Sequence, residues 1–439
     1  MVATYKPRMR EIRAALLLVV FAAFLAVAGG GAAKEPAKTP FLGLVYTGQE
    51  TSKLVRLNPL TLGQRNGRSV QLGTRTGAWS YSPDRSQLVL ADNSISGTLV
   101  LVDTRAMRRL AIFDTGGGNA QITTIFWPDA QHLYAVRTGL TRRDDGGFDS
   151  QPAALVAVDP ASRTVVGSKS LDGWVYGWVH GDNVLVLLLG PQSGIGPARL
   201  AVVGADGSVR TVGLDGVSVG WDAFDESKPT AIQHYAQPGL AVAPDGSMAF
   251  VASPSGIVAV ELGTLTASYH GIVRSERRLQ KGAAEGSWRT LRWVQPGVLA
   301  LSGHDDHSTV DADGSIHEHP VPIGVELVST KEWTAKMVDA TAEYVSIGAG
   351  GMLVTPWTWD STRQRYLGNG ATIYSLDGAK RAHVLGKRLV DGMVVGQRAF
   401  LYWGQGAAYS IVSMKTGKVL RTVRHSPPEA LLGAAFDLF

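Results

Sequence analysis

Short apolar runs, many of them rich in Val, Ile and Leu, follow one another along almost the whole chain with small polar turns between them. Eight times such a run leads through a polar turn into a second run: LVRLNPLTLGQR, LVLVDTRAMRRL, LVAVDPASRTVV, LAVVGADGSVRT, IVAVELGTLTAS, VELVSTKEWTAK, TIYSLDGAKRAH and YSIVSMKTGKVL. The turn positions are Asn58, Asp103, Asp159, Gly204, Glu261, Ser329, Ser375 and Ser413, so the phrase returns at intervals of 38 to 68 residues. Runs this short and this continuously apolar, bounded by turn residues, predict strands and not helices. Seven of the phrases are preceded by another pair of runs about a tight Pro, Asp or Gly turn: AWSYSPDRSQLVLAD, TTIFWPDAQHLYAVR, YGWVHGDNVLVLLL, LAVAPDGSMAFVAS, LRWVQPGVLALSG, YVSIGAGGMLVTP and MVVGQRAFLYW. Two hairpins per repeat make a four-stranded antiparallel unit, and a period near 45 residues is that of a β-propeller blade.

The expectation is therefore an all-β fold, a β-propeller of four-stranded antiparallel blades formed by one domain over residues 41–439. FLGLVY, KLVRLN and RSVQLG supply three strands that lack an innermost partner, and the C-terminal EALLGAAF is an apolar run without one. If the tail completes the first unit, strands from both ends close the ring with eight blades and hide the sheet edges. The competing count is seven, with the N-terminal strands added outside. The long insertions, residues 137–153, 213–238, 271–287, 303–324 and 357–370, all fall between second and third strands or between blades. In an up-and-down blade those connections lie on one face, so that loop-bearing rim is where function is expected.

The phrases YSPDRSQLVLAD, APDGSMAFVAS and LVLVDTRAMRRLAIFDTGG resemble the WD40-like and YVTN-type propeller repeats of exported bacterial proteins. The resemblance covers nearly all of Phe41 to Arg424 and implies a scaffold with many binding roles and some enzymes, lactonase-like members among them. It carries no active-site motif onto a numbered position.

Composition changes the picture mainly at the N-terminus. Lys6, Arg8, Arg10 and Arg13 precede an apolar run from Ala14 to Ala28 and then small residues, the layout of a secretory signal, so residues 1–33 read as a signal peptide or a retained signal anchor. Residues 34–40, KEPAKTP, read as a linker. With Glu11 the segment carries a net +3 of the formal +5, so the mature chain is nearly neutral and its charge gives no reason to expect nucleic acid. Cysteine is absent, which excludes disulfides, lipobox acylation and thiolate metal sites. The protein is expected to be exported, extracellular or in the cell envelope, monomeric, and in contact with a membrane only through an uncleaved N-terminal segment.

Two insertions carry candidate chemistry. GHDDHSTVDADGSIHEHP holds His304, His307, His317 and His319 among carboxylates, a donor set that suits a divalent transition metal although its spacing matches no established signature. TPWTWDSTRQRYLGNG brings Trp357, Trp359 and Tyr366 beside Arg363 and Arg365, side chains that stack on sugar rings or anchor a protein partner. A third insertion offers Trp221, with His234 and Tyr235 nearby. Gly216-Val217-Ser218-Val219-Gly220 fits a nucleophile-elbow pattern but is followed by an acidic, proline-ended stretch instead of a helix, and Asp114-Thr115-Gly116 has no second copy to form an acid dyad.

These observations favour a recognition or interaction module that takes a protein or carbohydrate ligand on the loop-bearing face, needs no cofactor and has no coherent catalytic set. The alternative is a lactonase-like hydrolase or lyase in which acids and histidines converge around the rim or central channel, with or without a divalent metal.

Overall fold

The computed structural model describes residues 41–46, 51–72, 76–92, 97–116, 120–142, 148–222, 234–274, 286–310, 316–360, 365–402, 408–424, 428 and 430–432. Residues 1–40, read from the sequence as a signal segment and linker, lie outside them. Antiparallel four-stranded blades of a β-propeller make up the fold, and the middle strands show why the sequence reads as it does. In Gln87–Asp92, Leu88 and Leu90 face one neighbouring sheet while Val89 and Ala91 face the other, so every central position is buried. Complete burial of each such Leu or Val contributes roughly 1.5–3 kcal/mol, which selects unbroken apolar runs over an alternating pattern. The outermost strands have water on one side, and Thr164–Ser170 is exposed throughout.

The expected blade count, eight or else seven, is corrected by the sheets. Six stand as discrete four-stranded blades, one of them carrying an added fifth strand, Arg365–Gly368. The remaining strands are joined in one eleven-stranded sheet. Its joint is Tyr235–Gln237, which pairs antiparallel with Val209–Trp221 on one side and parallel with Gly286–Gln295 on the other. That strand zippers the set beginning at Trp174 to the set beginning at Gly286, with the discrete blade from Gly239–Val242 to Thr266–His270 between them in the chain. Repeat phrases count hairpins, and a three-residue parallel bridge leaves no repeat of its own.

Adjacent sheets pack face to face in chain order. The last such layer sets Val395, Phe400 and Ile411 against Val55, Leu57 and Leu431, joining the last sheet to the first. In that first sheet Ala430–Leu432 pairs antiparallel with Leu42–Tyr46, Leu42 opposite Leu432, and the Tyr81 hydroxyl donates to the Leu432 carbonyl.

Three of the turn phrases share a local cause. Asp103 Oδ1 accepts the amides of Arg105 and Ala106 at 2.9 and 2.7 Å, and Asn58 and Asp159 do the same at their turns. The residue four further on closes the turn onto the carbonyl of the first, Met107 onto Asp103 and Arg163 onto Asp159, and so takes a left-handed conformation with φ of 51° and 63°. Gly417 does this without a Cβ, at φ 69°.

Candidate functional site

At the loop-bearing rim the innermost strands begin and the second strands end. Three insertions there continue as hairpins: Leu133–Arg142 with Phe148–Asp159, Val298–Val310 with Ile316–Pro322, and Gly351–Asp360 with Arg365–Gly368. Two consequences of this layout build the site. The parallel pairing of Tyr235–Gln237 with Gly286–Gln295 lays the Tyr235 ring over Gly286, where an added Cβ would stand 2.1 Å from a ring carbon. A β-bulge between Ala342 and Tyr344, at the start of Ala342–Gly348, re-aims Glu343, so that it meets the neighbouring strand.

His304 is where the two meet. Its Nδ1 lies 2.6 Å from Glu343 Oε1 and its Nε2 lies 3.0 Å from the Tyr235 hydroxyl, which also donates to Asp306 Oδ2. Arg289 donates to Asp305 Oδ1 at 2.7 Å and to the His304 carbonyl at 2.8 Å. The side chains of His304, Glu343 and Asp306 are 14%, 7% and 17% exposed, so these pairs are largely withdrawn from water. Burial pushes the His304 pKa down, but the Glu343 hydrogen bond and the charges of Glu343 and Asp306 outweigh it even against Arg289, and the net shift is upward. The doubly protonated ring satisfies every partner: Nδ1–H donates to Glu343, Nε2–H to the Tyr235 oxygen, and the Tyr235 proton to Asp306. Trp221 stacks on Tyr235 at 4.7 Å between centroids, and Trp288 lies nearly parallel to His304 at 6.2 Å.

The group continues along the rim. Burial, with the charge of the adjacent Glu343 carboxylate adding to it, raises the Tyr344 pKa far above the ordinary tyrosine value. Tyr344 packs on Trp357 at 5.0 Å between centroids and Trp357 on Tyr366 at 5.7 Å. Trp357 Nε1 donates to the Val390 carbonyl at 3.1 Å, beside Asp391. On the other side of Tyr235, Gln237 donates to the Tyr176 carbonyl at 2.7 Å, and the Tyr176 hydroxyl to the Pro191 carbonyl at 2.9 Å. Pro191 lines a cleft of about 380 Å³ with Pro152, Gly173, Gly190, Pro197 and Arg199.

Of the residues singled out in the sequence, Trp221 and His304 meet through Tyr235, and Trp357 meets Tyr366. Trp359 is the cross-strand partner of Tyr366, and Arg365 that of Asp360, but the side chains of Trp359 and Arg365 lie outside the described residues, as does all of Arg363. His307 stands opposite His319 in the hairpin and His317 opposite Thr309; the side chains of His317 and His319 are likewise outside. His304 and His307 are three positions apart on an extended strand, hence on opposite faces. Among the described residues no group of three His, Asp or Glu side chains is placed to hold a metal ion.

Glu343, Tyr344, Asp391 and Arg289 were not singled out. The only signal for Glu343 is a carboxylate at the head of an apolar strand, in TAEYVSIG. Ser218 lies within Val209–Trp221, opposite Pro197, and Asp114 caps its own turn through the Gly116 amide at 2.8 Å.

No family model and no curated protein matches the chain. Among solved structures it is similar to the dihydro-heme d1 dehydrogenase NirN in complex with DHE, at 11% identity and a TM-score of 0.54 over 100% of this chain and 84% of that one. It is also similar to AztD from Citrobacter koseri, at 9% identity and a TM-score of 0.46 over 89% and 96%. The WD40 domain of Neurospora crassa Pan2 aligns at 11% identity and a TM-score of 0.35 over 60% and 71%. At these identities the likeness is one of fold alone.

Proposed function

We propose that the chain is an exported recognition or interaction module whose binding face is the loop-bearing rim, where it takes a protein or carbohydrate ligand at the cell envelope or outside the cell. The observation that carries this reading is the line of aromatic and hydrogen-bonding side chains at that rim, from the partly accessible Trp221 and Tyr235 through His304, Asp306 and the buried Glu343 to the partly accessible Tyr344, Trp357 and Tyr366. Aromatic side chains held by such a network lose little entropy on binding, and a few of them can dominate affinity. The network fixes them from behind: Tyr235 is bonded to two groups, and Trp357 is tied to a backbone carbonyl. Export is supported by the basic and apolar N-terminal segment, and affinity with the exported WD40-like and YVTN-type repeats by the blade phrases.

A metal-dependent form of the hydrolase alternative built on His304 would hold the ion through a nitrogen that here carries a hydrogen bond to Glu343 or Tyr235. Stoichiometric zinc in the purified protein, found by elemental analysis, would favour that alternative. The test of the recognition reading is a glycan array and a pull-down from envelope extract. Trp221→Ala combined with Tyr366→Ala is expected to abolish capture while the melting temperature stays near that of the wild type. Capture that survives both changes would remove the binding face from this rim.

A further inference from the structure

The Trp357 end of the rim has a chemistry that the pairs around His304 lack. Tyr344 and Trp357 are tilted by 52° and Trp357 and Tyr366 by 57°, so the three rings stand as walls at an angle and not as a stack. Each keeps part of its surface accessible. Next to them lies Asp391, the first residue of Asp391–Val395, held beside Trp357 by the bond from the indole to Val390. Its Oδ1 accepts the Gly392 amide at 2.6 Å, and its Oδ2 faces the Tyr402 hydroxyl at 3.4 Å. Among the described residues no Lys, Arg or His forms an ion pair with it, and burial pushes its pKa upward while its charge helps to raise that of Tyr344.

Ring faces carry negative potential, and a carboxylate with no counter-ion among the described residues adds to it when ionised, so anions are repelled from these rings. A small, strongly hydrated metal ion would need a shell of oxygen donors, whereas the walls here are mostly carbon. A cation whose charge is spread over alkyl groups satisfies both features at once. Resting on the reading of this rim as the working face, we propose that Trp357, Tyr344 and Tyr366 enclose an organic ammonium group, with Asp391 as its counter-charge. The group can belong to a free quaternary amine or to an alkylated lysine of a protein ligand.

The experiment uses the purified full-length protein, with choline and its neutral isostere, in which carbon replaces the nitrogen, followed by calorimetry and by saturation transfer to the ligand methyl protons. Choline is expected to bind saturably and about 10-fold or more tighter than the isostere, the margin of one desolvated cation–π contact. Asp391→Asn should weaken choline by about 10-fold, and it should melt at or above the wild-type temperature because it removes a carboxylate whose charged form burial disfavours. Trp357→Phe should keep part of the affinity and Trp357→Ala lose it. A trimethyllysine peptide, compared with its unmethylated form and with choline, separates the two sources: a peptide that binds while choline does not places the ammonium group on a protein ligand. Equal binding of the isostere, full affinity in Asp391→Asn, or saturable binding by neither choline nor the peptide would overturn the proposal. Capture of a macromolecular ligand that ignores rim substitutions while choline still binds would instead overturn the rim reading and leave the ammonium site standing.

Discussion

Glu343→Gln separates the charge of the buried pair from its shape. Removing one partner of a buried, hydrogen-bonded ion pair typically costs about 3–5 kcal/mol. Here both side chains retain slight exposure, 7% for Glu343 and 14% for His304, and the glutamine carbonyl can still accept from Nδ1. The expected loss is therefore nearer ~2 kcal/mol at about pH 6. The sign of the pH dependence follows from the direction of the shift. Since the folded-state pKa of His304 is raised above its ordinary 6.5, the stabilisation is fully present below 6.5 and is lost as pH rises through the folded value. Above that value the neutral ring no longer donates from Nε2, and the single Tyr235 proton must serve either the ring or Asp306. The variant should then differ from the wild type by no more than one ordinary hydrogen bond, about 0.5–1 kcal/mol. Urea denaturation at about pH 6 and at a pH above the folded His304 value, located by proton NMR titration, reads both differences from the midpoints, and the same titration should show the His304 pKa fall in the variant. An equal loss of stability at the two pH values, or an unmoved His304 titration, would refute the assignment of a charged ring between two carboxylates.

Other outcomes test separate parts of the structure. Leu432→Ala, at a fully buried position paired with Leu42, should lower stability by about 2–5 kcal/mol, and an unchanged urea midpoint would sink the pairing of the two chain ends. Burial holds the His180 pKa down to about 4, so stability should fall between pH 6.5 and about 4 by up to roughly 3 kcal/mol, and His180→Gln should flatten that fall; an identical acid profile in the variant would count against it. Arg163→Gly, at φ 63° on an exposed turn, should raise stability by up to about 1 kcal/mol, measurable as a higher midpoint, whereas a lower one would show that the left-handed residue bears no strain.

Most of the strands and turns were legible because each has a local cause. A strand buried on both faces, such as Gln87–Asp92, must be apolar at its central positions, and a turn closed by its own side chain needs a short polar residue at a fixed place, as at Asp103, Asp159 and Ser329. The sheet count was not, because Tyr235–Gln237 joins strands that are remote in sequence through backbone bonds available to any residue. The site divides in the same way. Trp221, His304, Trp357 and Tyr366 stand out by type within long insertions. Glu343 matters only because a bulge turns it toward His304, 39 residues away, and Asp391 only because the indole of Trp357 docks on the residue before it.

The central claim, that the loop-bearing rim is the binding face, is tested most directly by measuring one captured ligand against two doubly substituted proteins of equal thermal stability. One carries Trp221→Ala and Tyr366→Ala on the rim, and the other Lys331→Ala and Glu332→Ala, exposed residues at a turn on the opposite face. The account predicts a loss of affinity of about 2 kcal/mol or more for the rim pair and none for the other. The reverse pattern, or an equal effect of both, would contradict it.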